Sequence, residues 1–283
     1  MSGQITSEMI MDLRKRTGVG ISKCKEALTE ANGNIEEAVH ILRKKGMASA
    51  VKKGGRETKE GLIGFAENDK VAYLVEVAAE TDFVTQNQCF RDFLDKLCQE
   101  AVRSTPDSVD ALLKETLTDQ PSLTIEEYRT ETVHALGENI QIKRILGFEK
   151  QDRTSLGIYS HMGGKIVCVV VIKGASDQIE LARLLAMHIA AEAPDYLAPS
   201  AIPPSVIAKE EELARSQIQN KPAAVIDKIV QGKMKTYYQQ SCLLCQNYIK
   251  DPSLTVAQFI EKEGEKTGNT LEVTEFVRWQ IGE

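Results

Sequence analysis

The sequence predicts an α+β fold: a three-helix module at the amino terminus, then two related halves that each consist of a hairpin and a helix. Three observations lead there. Helix-start and helix-stop residues punctuate the first 46 residues at short intervals. A hairpin-plus-helix pattern occurs twice, at an offset of 95 (165 − 70 = 95, from Lys165 and Lys70). Apolar runs of strand length are separated by runs of helical periodicity. The resulting plan is a three-helix module at 1–50, a linker at 51–60, one core half at 61–150 and a second at 151–283. The last contains a helical pair at about 205–240.

Thr6 or Ser7 can cap a first helix bearing Ile10, Leu13 and Arg14. Thr17-Gly18-Val19-Gly20 is a turn, because its two glycines reach positive φ at little cost. A second helix carries Cys24, Ala27, Leu28 and Ala31 on one face and stops at Asn32-Gly33. Asn34 caps a third, with Glu37 completing a capping box; Ile35, Ala38, Val39 and Leu42 form its apolar face, and Gly46 ends it. The basic stretch Val51-Lys-Lys-Gly-Gly-Arg-Glu-Thr-Lys-Glu60 reads as a flexible linker. A phosphate-binding strip is the alternative, but no aromatics are interleaved for base stacking.

A hairpin follows: Leu62–Phe65, a turn at Asn68-Asp69, and Val71–Val77. The next helix places Phe90, Phe93, Leu94, Leu97 and Ala101 on one face. Helical segments lie near 107–117 and 124–136, and Ile140–Phe148 is a strand. The pattern restarts with Gly157-Ile158-Tyr159, a turn at Met162-Gly163-Gly164 and the apolar run Ile166–Ile172, a strand buried on both faces. Its helix carries Ala182, Leu185, Ala186, Ile189 and Ala190. Ser205–Gln219 and a helix opened by Pro222, with Ile226, Ile229, Val230, Met234 and Tyr237, are joined by Asn220-Lys-Pro222 as an antiparallel pair. A short helix at Thr255–Glu263 and a strand at Leu271–Ile281 complete the chain as read here.

Composition excludes several classes of function. Apolar content of 42%, charge of 27% and a net charge of −6 describe a soluble globular protein with no global attraction to nucleic acid or anionic membrane. No apolar run approaches a membrane span, and the early charges of MSGQITSEMIMDLRK argue against a signal peptide, so a cytoplasmic protein with reduced thiols is expected. Of the six cysteines only Cys242 and Cys245 form a CxxC. They lack the second pair or the histidines of a zinc site, and read as structural or incidental. There is no GxxxxGK[ST] loop. His40, His134, His161 and His188 lie far apart; His188 falls in an apolar helix as a packing residue, and His161 at an exposed turn. No nucleophile–base set, carboxylate pair or metal cluster emerges, so a binding protein without covalent chemistry, cofactor or metal is expected.

One stretch resists a purely structural reading: Glu80-Thr-Asp-Phe-Val84, where strand gives way to helix. At the offset of 95, Thr81-Asp82 falls on Ser176-Asp177, so both copies place a hydroxyl and an acid where a helix needs a cap. Phe83 falls on Gln178 and has no such reason. It either folds back as a hydrophobic staple or stands out as an anchor for a partner. Pattern alone leaves both open.

Several segments together resemble the elongation factor Ts family. They are Leu13-Arg-Lys-Arg-Thr-Gly-Val-Gly-Ile-Ser-Lys-Cys-Lys-Glu-Ala-Leu28, Thr81-Asp-Phe-Val84, Ile158-Tyr-Ser-His161 with its glycines, Ala186-Met-His-Ile-Ala-Ala191 followed by Pro194, and Gly232-Lys-Met-Lys235. They occur in the family's order and span nearly the whole chain. The resemblance implies a ubiquitin-associated-like amino-terminal module, two related core halves, and a helical hairpin projecting from the second. It implies a guanine-nucleotide exchange factor for elongation factor Tu in its GDP-bound state, with no direct nucleic-acid or membrane partner. The motif Thr81, Asp82, Phe83, Val84 would then enter the partner's GTPase domain, with Phe83 as wedge. Arg14 and Ile21 match contacts of the amino-terminal module, and His161, Met162, Gly163 and Gly164 match a contact of the second core half with another domain of the partner. The apolar strands also permit a homodimer. Two rival readings make distinct predictions: a redox protein needs a lowered thiol pKa at Cys242 or Cys245, and an adaptor built on the first helices would function as residues 1–60 alone.

Overall fold

The computed structural model describes residues 5–218 and 222–283. The expected link at Gln219, Asn220 and Lys221, and the first four residues of the amino-terminal reading, lie outside them. The chain divides into two compact units. One comprises Met1–Lys150 with Met162–Lys165 and Gln280–Glu283; the other comprises Gln151–His161 and Ile166–Trp279.

The first unit opens with α1 (Ser7–Thr17), α2 (Ile21–Glu30) and α3 (Ile35–Lys53). Thr6 caps α1, and Gly18 ends it at φ 66°, the left-handed conformation its position demands. Leu13, Val19, Cys24, Ala27, Leu28, Ala38 and Leu42 close a small core among the three helices. Asn34 caps α3 by accepting from the Glu37 N–H at 3.1 Å, one half of the expected box. Gly46 does not end α3. The buried residues Ala38, Leu42, Gly46 and Ala50 recur every fourth position through it. At Gly46 the helix crosses α7 (Ile125–Leu136): a Cβ there would stand 3.4 Å from the His134 Cβ. The stop signal in the sequence is a close approach between helices. The basic stretch is likewise helical through Lys53, and its following turn is tethered. The Gly54 and Arg56 carbonyls both accept from the Asn139 amide.

Strands β1 (Glu60–Glu67), β2 (Val71–Ala79) and β3 (Ile140–Glu149) form an antiparallel sheet in that order. After β2 the chain makes a one-turn helix α4 (Asp82–Thr85), then α5 (Gln88–Ser104) and α6 (Val109–Lys114) before α7. Phe90, Phe93, Leu94, Leu97 and Ala101 of α5 pack with Val75, Val77, Ile140 and Leu123 in the unit's main core. The sequence placed Thr81-Asp82 at the start of this long helix. Instead Asn87 caps α5 by accepting from the Cys89 N–H at 2.9 Å, and the motif has its own separate turn.

In the second unit β4 (Thr154–His161), β5 (Ile166–Lys173) and β8 (Glu272–Gln280) form a sheet in that order, with α8 (Ile179–Glu192) packed on β4 and β5. Ser176-Asp177 does not cap α8. The N-cap is Gln178, whose N–H donates to Ser155 Oγ at 2.8 Å. His188 is a core residue: Nδ1 accepts from the Ile249 N–H, which leaves Nε2 to donate to Gln246 at 3.0 Å. Helices α9 (Pro204–Ser216) and α10 (Ala223–Ser241) pair through Ala214, Val230 and Met234, with Arg215 bound to Asp227. Helix α10 runs through Ser241 and so carries Tyr237 as well as Met234. A short ribbon, β6 (Asn247–Tyr248) and β7 (Asp251–Thr255), leads to α11 (Val256–Thr267), a turn longer than expected.

The repeat survives in three dimensions with one adjustment. Gly64 faces Val75 and Gly157 faces Val170. The partners differ by 170 − 75 = 95, the glycines by 157 − 64 = 93. The second hairpin therefore has two more residues at its tip. Both glycines sit where a helix crosses the hairpin: a Cβ on Gly64 would meet Cys98 and Leu94 at under 3 Å, and one on Gly157 the α8 backbone at 2.3 Å.

Candidate functional site

The turn that carries Phe83 is built from both ends. Glu80 leaves β2, and Thr81 is extended (φ −131°, ψ 156°) before the chain turns helical at Asp82. Four residues make no stable helix of their own, so tertiary anchors must hold this one. On its far side Val84 and Thr85 are buried, and Thr85 Oγ1 donates to the Asp82 carbonyl at 2.7 Å. The Gln86 and Asn87 N–H groups return to the Phe83 and Val84 carbonyls. Arg91 of α5 braces the exit, donating to the Thr85 carbonyl and to Gln86 Oε1.

On the near side the anchor is Glu138, just after α7. Its two carboxylate oxygens accept from the Thr81 N–H at 3.0 Å and the Thr81 hydroxyl at 2.6 Å. The next residue reciprocates: the Asn139 N–H donates to Glu80 Oε1 at 2.6 Å. Arg56 pairs with the same Glu80 carboxylate, and the Asn139 side chain ties in the end of α3. Gly137, left-handed at φ 82°, ends α7 and turns the chain into this position.

Between these anchors Asp82 and Phe83 face solvent, and Phe83 is 83% exposed, the highest exposure among the large apolar residues described. The staple reading fails, because a staple would bury the ring. Thr81 stands at the N-cap position but makes no side-chain cap, since its hydroxyl is directed to Glu138.

The other expected residues lie elsewhere. Arg14 on α1 and Ile21 at the start of α2 are both exposed and do not share the Phe83 turn. His161 ends β4, exposed, with its Nδ1 3.1 Å from the Tyr159 hydroxyl. Met162, Gly163 and Gly164 follow it, all at positive φ, and Met162 is 71% exposed. Gly164 is fixed: its carbonyl accepts from the Ile63 N–H at 2.8 Å, and a Cβ would stand 2.9 Å from the Ile63 carbonyl oxygen. Sequence reasoning passed over Glu80, Glu138 and Asn139. The only local signal was a glycine helix stop followed by an acid and an amide, and nothing in it pointed to a segment 57 residues away.

The cysteine pair is ill-suited to redox chemistry. Burial pushes the Cys242 thiol up to about 11, and burial also raises Cys245, whereas a reactive thiol needs the opposite shift. Among the described residues no cluster of three or more His, Cys, Asp or Glu is placed to hold a metal ion, and no helix is long and apolar enough to cross a membrane.

The family model described as Elongation factor TS matches residues 80–283, which takes in the Phe83 turn. The chain is 51% identical to the elongation factor Ts of Protochlamydia amoebophila (strain UWE25) over 279 residues, 99% of each chain. It is 48% identical to that of Chlamydia felis and 47% identical to that of Chlamydia caviae, over 97% of this chain and 98% of theirs in both cases.

Proposed function

The chain belongs to the elongation factor Ts family, and from that premise we propose that it binds GDP-loaded elongation factor Tu in the cytoplasm and accelerates GDP release by inserting Phe83 into the GTPase domain. Membership implies the exchange-factor role; the wedge is our reading of the turn. GDP is held by donors around its phosphates and by the Mg²⁺ that bridges them. An exchange factor must bind the opened state of its partner better than the nucleotide-tight state. By linkage it then weakens nucleotide binding by the factor with which nucleotide weakens its own.

The observation that carries the reading is the contrast within one turn. Val84 and Thr85 are locked in the core while Phe83 beside them is 83% exposed. An aromatic carried on a backbone that is already anchored loses little further backbone entropy on docking, which suits a hot spot. Asp82 is its polar companion. Arg14 and Ile21, and the tip His161–Gly164, are assigned to further contacts with the partner. The amino-terminal helices are assigned a ubiquitin-associated-like module.

The test is displacement of fluorescent GDP from elongation factor Tu by excess unlabelled GDP, with catalytic amounts of this protein. Acceleration is expected from the full chain and not from residues 1–60, which lack Phe83. Exchange catalysed by that fragment alone would overturn the proposal.

A further inference from the structure

We propose that Glu138 is a positioning residue for exchange: by taking both the N–H and the hydroxyl of Thr81, its carboxylate fixes the direction in which the turn presents Asp82 and Phe83. The inference rests on the wedge reading above and extends it to residues that need not touch the partner.

The argument begins with what a four-residue helix lacks. It cannot hold its own orientation, so the direction of Phe83 is set by whatever grips the turn's two ends. Val84 and Thr85 grip one end through burial. Burial fixes the depth of that end, and Arg91 braces its exit through the Thr85 carbonyl. The other end is gripped by directional bonds. A carboxylate accepting a backbone N–H at 3.0 Å and a hydroxyl at 2.6 Å from one residue constrains both the peptide plane and the side-chain torsion of Thr81. Bonds to a charged acceptor are stronger than neutral ones.

Glu138 is itself held. Its neighbour Asn139 is buried and bound to Glu80 on one side and to the Gly54 and Arg56 carbonyls on the other. Glu80-Thr81 and Glu138-Asn139 therefore cross-link two residues to two residues, each pair giving one acid and taking one backbone N–H. This assembly is more than a cap requires. A capping threonine would turn its hydroxyl inward to accept from the helix; here the hydroxyl is directed away, to Glu138. Thr81 is thus an anchor of the motif rather than a contact of it.

The test uses the full chain and a double-mutant cycle on labelled-GDP release from elongation factor Tu. Glu138→Ala is expected to lower kcat/KM about tenfold, consistent with losing bonds to a charged acceptor. Thr81→Val, which keeps the N–H bond, should lose about threefold, and Thr81→Ser should match wild type. The decisive arm is the Phe83→Ala background, where Glu138→Ala should cost less than twofold further, because no wedge remains to be aimed. Equal losses with Phe83 present and absent would overturn the inference and leave Glu138 a structural residue. So would full activity in Glu138→Ala. If Glu138→Ala fails to fold, Thr81→Val completes the same cycle. Phe83→Ala alone separates the two claims: its full activity would sink the wedge reading and this inference with it, whereas loss there with additivity in the cycle sinks only the positioning role.

Discussion

Phe83 and Phe93 stand ten positions apart and should fail in opposite ways. Phe83 is 83% exposed, and Phe93 is fully buried, its ring 5.2 Å from that of Tyr128. A phenylalanine offers roughly 200 Å² for burial, so at about 25 cal/mol per Å² a pocket that takes most of the exposed ring gains roughly 4 kcal/mol. Central aromatic hot spots cost roughly 2–4 kcal/mol on truncation. Phe83→Ala should therefore reduce kcat/KM for GDP release by roughly 30- to 1,000-fold and leave the thermal midpoint unchanged within about 2 °C. Phe93→Ala opens a cavity in the main core and should cost about 3–5 kcal/mol of stability, on the order of 10 °C, with normal exchange per folded molecule. Stopped-flow fluorescence and differential scanning calorimetry on both variants read the two quantities separately. A Phe83→Ala protein that melts early, or that exchanges normally, would refute the division of labour drawn here.

Further predictions concern the scaffold. Gly46→Ala should raise stability by about 0.5–1 kcal/mol, since the site is mid-helix and a methyl meets the His134 Cβ at an ordinary 3.4 Å; Gly46→Leu should destabilise by prying α3 from α7, and denaturant titration tests both. Gly157→Ala should destabilise by about 3 kcal/mol or more, because its Cβ would stand 2.3 Å from the backbone of α8; a stable, soluble variant would contradict the crossing described. Burial first, then Lys23, Lys53 and Lys45, hold the His134 pKa down to about 4 from 6.5. Its unfolded state then binds more protons between those values, so its contribution to stability is complete above about pH 6.5 and is lost as pH falls towards 4. The melting temperature of His134→Gln should accordingly fall less steeply than that of wild type as pH is lowered over that interval, and equal slopes would refute the assignment.

Much of the fold could be read from the sequence because it rests on period. The β1–β2 and β4–β5 hairpins announce themselves by apolar runs and turn residues, and α5 by its single apolar face. Punctuation was less dependable. A glycine that stops a helix and one that lets two helices touch look identical, so Gly46 misled while Gly18 behaved as read. Asn87 was a cap hidden inside what looked like one continuous helix, and so the motif's separate turn was missed. Phe83 could be singled out because its position lacked a local reason. Its support could not be, because the Thr81–Glu138 bonds join segments 57 residues apart, and local pattern carries no information about such pairs.

The strand order of the second sheet has a consequence for the protein during its own synthesis. β5 lies between β4, its immediate predecessor, and β8, which is made about a hundred residues later. Until then the apolar run Ile166–Ile172 has one row of backbone donors and acceptors without a partner strand. Such an edge invites pairing with another chain. A nascent polypeptide released before Glu272 would expose it permanently, and a slow ribosome would expose it for longer. Truncated products of this gene should therefore be insoluble and short-lived, and the interval between the two strands is when the chain most needs a chaperone.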